Sequence, residues 1–158
     1  MESGIGAALV KEATGARLVR AFDHNIRSAK GIAAQKEMTG GYKVQGPLTM
    51  VHNDYTPASS VRRLEQLGCP PKQNDAMRSV LGDQPLLSDE EVTSGRERRF
   101  AIVNVWRNIR DVAIQCFPLG VMDGRSVVAN DLAVFQIYYA DRVGENFLSW
   151  WAKVNESQ

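Results

Sequence analysis

The second half of the chain holds four short segments rich in β-branched and aromatic residues: RFAIVNVWR (99–107), QCFPLGVMD (115–123), LAVFQIYY (132–139) and ENFLSWWAKV (145–154). This run constrains the fold more than any other feature. Each segment is too short for a helix of ordinary length and is bounded by turn-forming residues, the pattern of strands. Ahead of them the pattern is mixed. Residues 5–14 favour a helix, with Ala7, Ala8, Leu9 and Val10 and a stop at Gly15. ARLVRAFDH (16–24) and LTMVHNDY (48–55) alternate like strands. Residues 28–47, with Gly40-Gly41 and Gly46-Pro47, read as a long loop.

Thr56 followed by Pro57 marks a helix start: a capping hydroxyl, then a proline at the first helical position. Val61, Leu64 and Leu67 then fall on one face, and Cys69-Pro70-Pro71 ends the helix. NDAMRSVL (74–81) reads as a second short helix. The basic run Arg96, Arg98, Arg99, which includes Glu97 and follows the acidic stretch Asp89-Glu90-Glu91, reads as a solvated loop. Helix and strand, helical insertion over 57–95, then strands: this order predicts a single α+β domain with a mainly antiparallel sheet.

With 158 residues the chain can bury the core of one ordinary domain. A formal net charge of +1 leaves no basic footprint for nucleic acid. The apolar run near the N-terminus is interrupted by Lys11 and Glu12 and is too short for a membrane span or secretion signal. Cys69 and Cys116 stand in no metal-binding spacing, which predicts buried or idle thiols and a cytoplasmic protein.

The chemistry is concentrated in MVHNDYTPASS (50–60). On a strand His52 and Asp54 share a face and Asn53 points opposite. An imidazole and a carboxylate so placed can share one metal ion, as in facial triads of non-haem iron enzymes. The same spacing also suits a plain strand end, with both side chains bonded into the turn at Thr56. The spacing alone leaves the two readings open.

Five motifs occur in order: FDHNIR, VHNDYT, RRFAIVNVWRNI, MDGRSV followed by NDL, and DRVGE. Together they resemble a mostly fungal and bacterial hydroxylase/desaturase family that includes gibberellin desaturase and cephem methoxylase small-chain-like proteins. The resemblance runs from about residue 6 to residue 158. It implies an oxidoreductase of secondary metabolism with a jelly-roll double-stranded β-helix, using Fe(II) and 2-oxoglutarate on a small natural-product substrate. His52 and Asp54 become iron ligands, and Tyr55 joins them as a catalytic candidate. Asn104 and Arg107 become cofactor-binding candidates; Thr56, Trp106 and His24 become pocket candidates. Where the family reads W-R-P-I, this chain has Asn108 in place of the proline, so the strand exit is expected to differ. The family's third histidine and its following arginine lie in a segment beyond DRVGE, before which this sequence is expected to be cut back. Two alternatives follow from that expectation: a non-redox cyclase, isomerase or dehydratase, and an inactive fragment or partner of a full-length relative. Trp150 and Trp151 are expected to cover an open sheet edge, or to pair it with a second copy.

Overall fold

The computed structural model describes residues 2–33, 44–73, 75, 77–138 and 143–149. Trp150, Trp151, Gly40-Gly41 and the end of the fourth expected strand lie outside them. The chain divides into two compact units, residues 1–46 with 63–107 and residues 47–62 with 108–158. The described elements run α1 (Glu2–Thr14), α2 (Ala29–Ala33), β1 (His52–Asn53), α3 (Pro57–Leu67), α4 (Arg78–Leu81), α5 (Asp89–Glu97), two 3-10 turns (Gly124–Ser126 and Ala129–Asp131), β2 (Leu132–Tyr138) and β3 (Val143–Ser149). Mixed helix and a three-stranded antiparallel sheet make this an α+β chain.

In the first unit, α1 ends where Gly15 takes φ +69°, a conformation that costs a residue without a side chain little. The 16–24 segment forms no strand. Side chains anchor it instead. Arg20 reaches the Glu91 carboxylate at 2.8 Å, and the Arg63 guanidinium lies 5.0 Å from the centre of the Phe22 ring.

Helix α5 runs on to Glu97 and so takes in Arg96, the start of the basic run read as a loop. Ser88 accepts a hydrogen bond from the Glu91 N–H, and the Glu91 carboxylate accepts one from the Ser88 N–H. This reciprocal cap satisfies donors that would otherwise face solvent, and three acidic residues sit in the favourable first turn. Leu87, immediately before the cap, is buried. The chain leaving α3 is tied to it, since the Leu67 carbonyl accepts from both Leu86 N–H and Leu87 N–H at 3.0 Å.

In the second unit the sheet order is β1-β3-β2. Leu132 pairs with Ser149 and Tyr138 with Val143, while His52 pairs with Leu148 and Asn53 with Phe147. The expected strand over 48–55 is thus reduced to His52 and Asn53. The segments 99–107 and 115–123 form no strand among the described residues, another departure from expectation. Their apolar side chains, Val103, Val105, Phe117 and Val121 among them, are exposed. Alternation marks a segment suited to a sheet, but a strand forms only when its N–H and C=O groups meet a partner. Asn108 closes a local turn, with its amide on the Val112 carbonyl and its side-chain oxygen accepting from the Arg110 N–H. Both cysteines are free and exposed, so of the two expected alternatives, buried or idle thiols, burial does not hold. No described helix is long and apolar enough to cross a membrane.

Candidate functional site

The site is assembled on the short strand β1 and the turn that leads from it into α3. The strand carries His52; the turn carries Asp54 and Tyr55; Thr56 caps the helix. Edge pairing with β3 fixes the strand, and the Ser149 N–H donates to the Val51 carbonyl at 3.0 Å to extend that pairing by one residue.

The turn is then held from both sides. Thr56 Oγ1 accepts from the Ser59 N–H at 3.1 Å, and Ser59 Oγ accepts from the Thr56 N–H at 2.8 Å. Both residues are buried. Ser59 Oγ also donates to the Glu145 carbonyl at 2.7 Å, which ties the start of α3 to β3. The Glu145 carboxylate receives Arg62 at 2.7 Å and the Thr56 hydroxyl at 3.4 Å. With its amide turned to satisfy both groups, Asn146 donates to the main-chain carbonyls of Asp54 at 2.8 Å and Glu145 at 3.0 Å. Neither Glu145 nor Asn146 stood out as a site residue in the sequence. The signal was there only in part, because Glu145 ends the DRVGE motif.

His52 and Asp54 do come together, with Nε2 3.5 Å from Oδ1. The other ring nitrogen, Nδ1, lies 3.0 Å from the Met50 carbonyl. In the neutral tautomer that donates from Nδ1 to the Met50 carbonyl, Nε2 presents its lone pair. A lone pair and a carboxylate oxygen therefore face one another. In that tautomer the two atoms are close enough to share a proton or a cation. Bonds of about 2.1 Å from one ion to each ligand can span such a separation, so this donor set fits a divalent metal. A main-chain carbonyl orienting the imidazole from behind is the usual partner of a metal-binding histidine. Among the described residues no group of three or more His, Cys, Asp or Glu side chains gathers.

A cleft of about 290 Å³ opens on the face of the sheet that carries Asn53, Phe147 and Ser149, opposite to the face on which the His52 side chain lies. Val51, Met122, Val127, Val128, Leu132 and Phe147 line the rest of it with apolar surface. Tyr55 is half-buried and Thr56 is committed to the helix cap.

The remaining candidates belong to the first unit. His24 is exposed, its N–H bonded to the neighbouring Asp23 carboxylate at 2.7 Å. Asn104, Trp106 and Arg107 are exposed on the 99–107 segment, with Trp106 about half accessible. Arg27 near His24 donates to the Gly46 carbonyl at 3.0 Å.

Known proteins place this arrangement in context. An uncharacterized protein in the dcmA 3' region of Methylophilus leisingeri is 39% identical over 104 residues, covering 64% of this chain and 48% of its own. Oxidoreductase AN1597 of Emericella nidulans is 28% identical over 142 residues, 89% of this chain and 41% of its own. Alpha-ketoglutarate-dependent dioxygenase tstK of Talaromyces stipitatus is 28% identical over 137 residues, 85% of this chain and 40% of its own. The chain thus spans less than half the length of these relatives. No solved structure matches it. The model of the oxidoreductase/YMDC permease-like domain matches residues 6–156, nearly the whole chain, and the chain belongs to that oxidoreductase-like family.

Proposed function

We propose that this chain carries the iron-binding half of an Fe(II)/2-oxoglutarate-type oxygenase of the double-stranded β-helix class, acting as a hydroxylase or desaturase on a small natural product. The observation that carries this reading is the His52–Asp54 pair: Nδ1 lies 3.0 Å from the Met50 carbonyl, and Nε2 lies 3.5 Å from the carboxylate. The oxidoreductase family and a relative named as an alpha-ketoglutarate-dependent dioxygenase support it. When bound, ferrous iron would supply activation of oxygen for attack on an unreactive C–H bond.

The protein's own contribution is positioning. His52 and Asp54 hold the ion, the Met50 carbonyl keeps His52 in the ligating tautomer, and the Thr56–Ser59 cap keeps the Asp54 turn from fraying. Tyr55 is a further catalytic candidate; Asn104 and Arg107 for cofactor, and Trp106, Thr56 and His24 for substrate, rest on motif resemblance. Anaerobic titration with Fe(II) tests the reading. Stoichiometric binding that His52→Ala and Asp54→Ala each abolish is expected; absence of binding, or binding indifferent to both substitutions, sinks it.

The same pair supports a second reading. A proton placed between Nε2 and Oδ1 makes a general acid–base pair suited to cyclisation, isomerisation or dehydration. Turnover that survives chelators and exclusion of oxygen, yet is lost in His52→Ala, would favour that reading over the oxygenase.

A further inference from the structure

Asn146 stands where the pairing of β1 with β3 ends. The register runs through His52–Leu148 and Asn53–Phe147. One step further along it would set Asp54 opposite Asn146. Side chains two apart on a strand share a face, and so do those of directly paired residues. Asn146 and Leu148 therefore lie on the face that carries His52. Asn146 is half-buried there. Its carboxamide nitrogen has two hydrogens, and two main-chain carbonyls receive them: Asp54 at 2.8 Å and Glu145 at 3.0 Å. The Glu145 carbonyl also accepts from Ser59 Oγ at 2.7 Å. Two consecutive residues of β3 thus grip the turn at both ends, Asn146 at Asp54 and Glu145 at Ser59.

We infer that Asn146 is a positioning residue for the His52–Asp54 pair: by holding the Asp54 carbonyl it fixes where the Asp54 carboxylate stands against His52 Nε2, 3.5 Å away. An aspartate side chain is short, so the place of its carboxylate follows the place of its main chain. Asn146 acts through that main chain and needs no contact with an ion. A planar amide suits the task, because it offers two donors at a fixed angle to two carbonyls that can only accept. The consequence for metal affinity rests on the proposed reading; the consequence for the geometry of the pair does not. An asparagine that served the fold alone would lower stability when removed and leave the pair as it is.

The test compares the full chain with Asn146→Leu, which keeps the shape of the side chain and loses both donors, and with Asn146→Ala, which loses the shape as well. Phe147→Leu, on the opposite face of the same strand, controls for a general weakening of β3. Metal-free crystal structures read the separation of Nε2 from Oδ1, and absorption titration with Co(II) reads affinity. In both Asn146 variants the separation is expected to open beyond ion-pair reach, about 4 Å. The Kd for Co(II) is expected to rise about 10–100-fold, as it does when the partner that orients a ligand is removed. In Phe147→Leu both quantities should stay as in the unmodified chain. A separation unchanged in the Asn146 variants, or an equal change in Phe147→Leu, overturns the inference. Absence of stoichiometric Co(II) binding by the unmodified chain, with the separation opening in the variants, would count against the metal reading alone. Co(II) binding that withstands both Asn146 substitutions, with the separation intact, would count against the role of Asn146 alone.

Discussion

Gly68 and Val92 meet where the chain leaves α3: a β-carbon at position 68 would stand 2.6 Å from Val92 Cγ2. Valine is stiff about χ1 and cannot swing away cheaply. Gly68→Ala is therefore expected to destabilise the chain by about 1–3 kcal/mol, as overpacking does. In a Val92→Ala background the same change should be close to neutral. A double-mutant cycle by urea denaturation reads the coupling directly, and additive effects would show that the approach is not a packing constraint.

The reciprocal cap of α5 predicts an order of effects. Ser88→Ala should cost about 1 kcal/mol, since the Glu91 N–H loses its acceptor. Arg20→Ala removes an exposed ion pair to the same Glu91 and should cost no more than about 1 kcal/mol. Thermal or chemical denaturation that ranks Arg20→Ala well above Ser88→Ala would contradict the local-cap account.

At Asp123 the Arg125 guanidinium, bonded through Nε at 3.0 Å and Nη2 at 2.7 Å, holds the carboxyl below the usual aspartate range, and the Arg125 N–H adds to the effect. The folded value lies below the unfolded one. The small stabilisation is thus present above the unfolded value and lost as pH falls through the folded one. Carbonyl NMR should find the Asp123 midpoint depressed, and Arg125→Ala should move it upward. An unchanged midpoint in that variant would remove the guanidinium as the cause.

The tautomer of His52 is the sharpest local prediction about the candidate site. Long-range nitrogen–proton correlation on the neutral ring in metal-free protein should show the proton on Nδ1 if that nitrogen donates to the Met50 carbonyl. Addition of Co(II) should perturb Nε2 first. A ring protonated on Nε2 would mean that the lone pair does not face Asp54.

What could be read from the sequence was what depends on neighbours in the chain. Gly15 stopping α1 and Thr56-Pro57 starting α3 are local devices, and both stand in the structure. The 132–139 segment and the beginning of 145–154 became the hairpin strands β2 and β3 because they pair with each other. The segments 16–24, 99–107 and 115–123 show that alternation does not by itself supply a strand with its partner. The cap at Ser88-Asp89-Glu90-Glu91 was legible, but the density of charge around it masked the helix. In the site, the spacing of His52 and Asp54 predicted that they meet. The roles of Met50, Ser59 and Glu145 were hidden, because a carbonyl carries no signature in the sequence and Glu145 lies far along the chain.

Strand β3 touches both halves of the pair at once. Its Leu148 sets the position of His52, and its Glu145 carbonyl, through Ser59, sets the start of the helix behind Asp54. The separation of the two side chains is therefore measured out along this strand. A slip of one residue would turn the side chain of Glu145 to the opposite face of the sheet and shift His52 by a full residue. Engineering of this site accordingly begins at residues 143–149: a variant library confined to His52, Asp54 and their immediate neighbours would leave the ruler itself untouched.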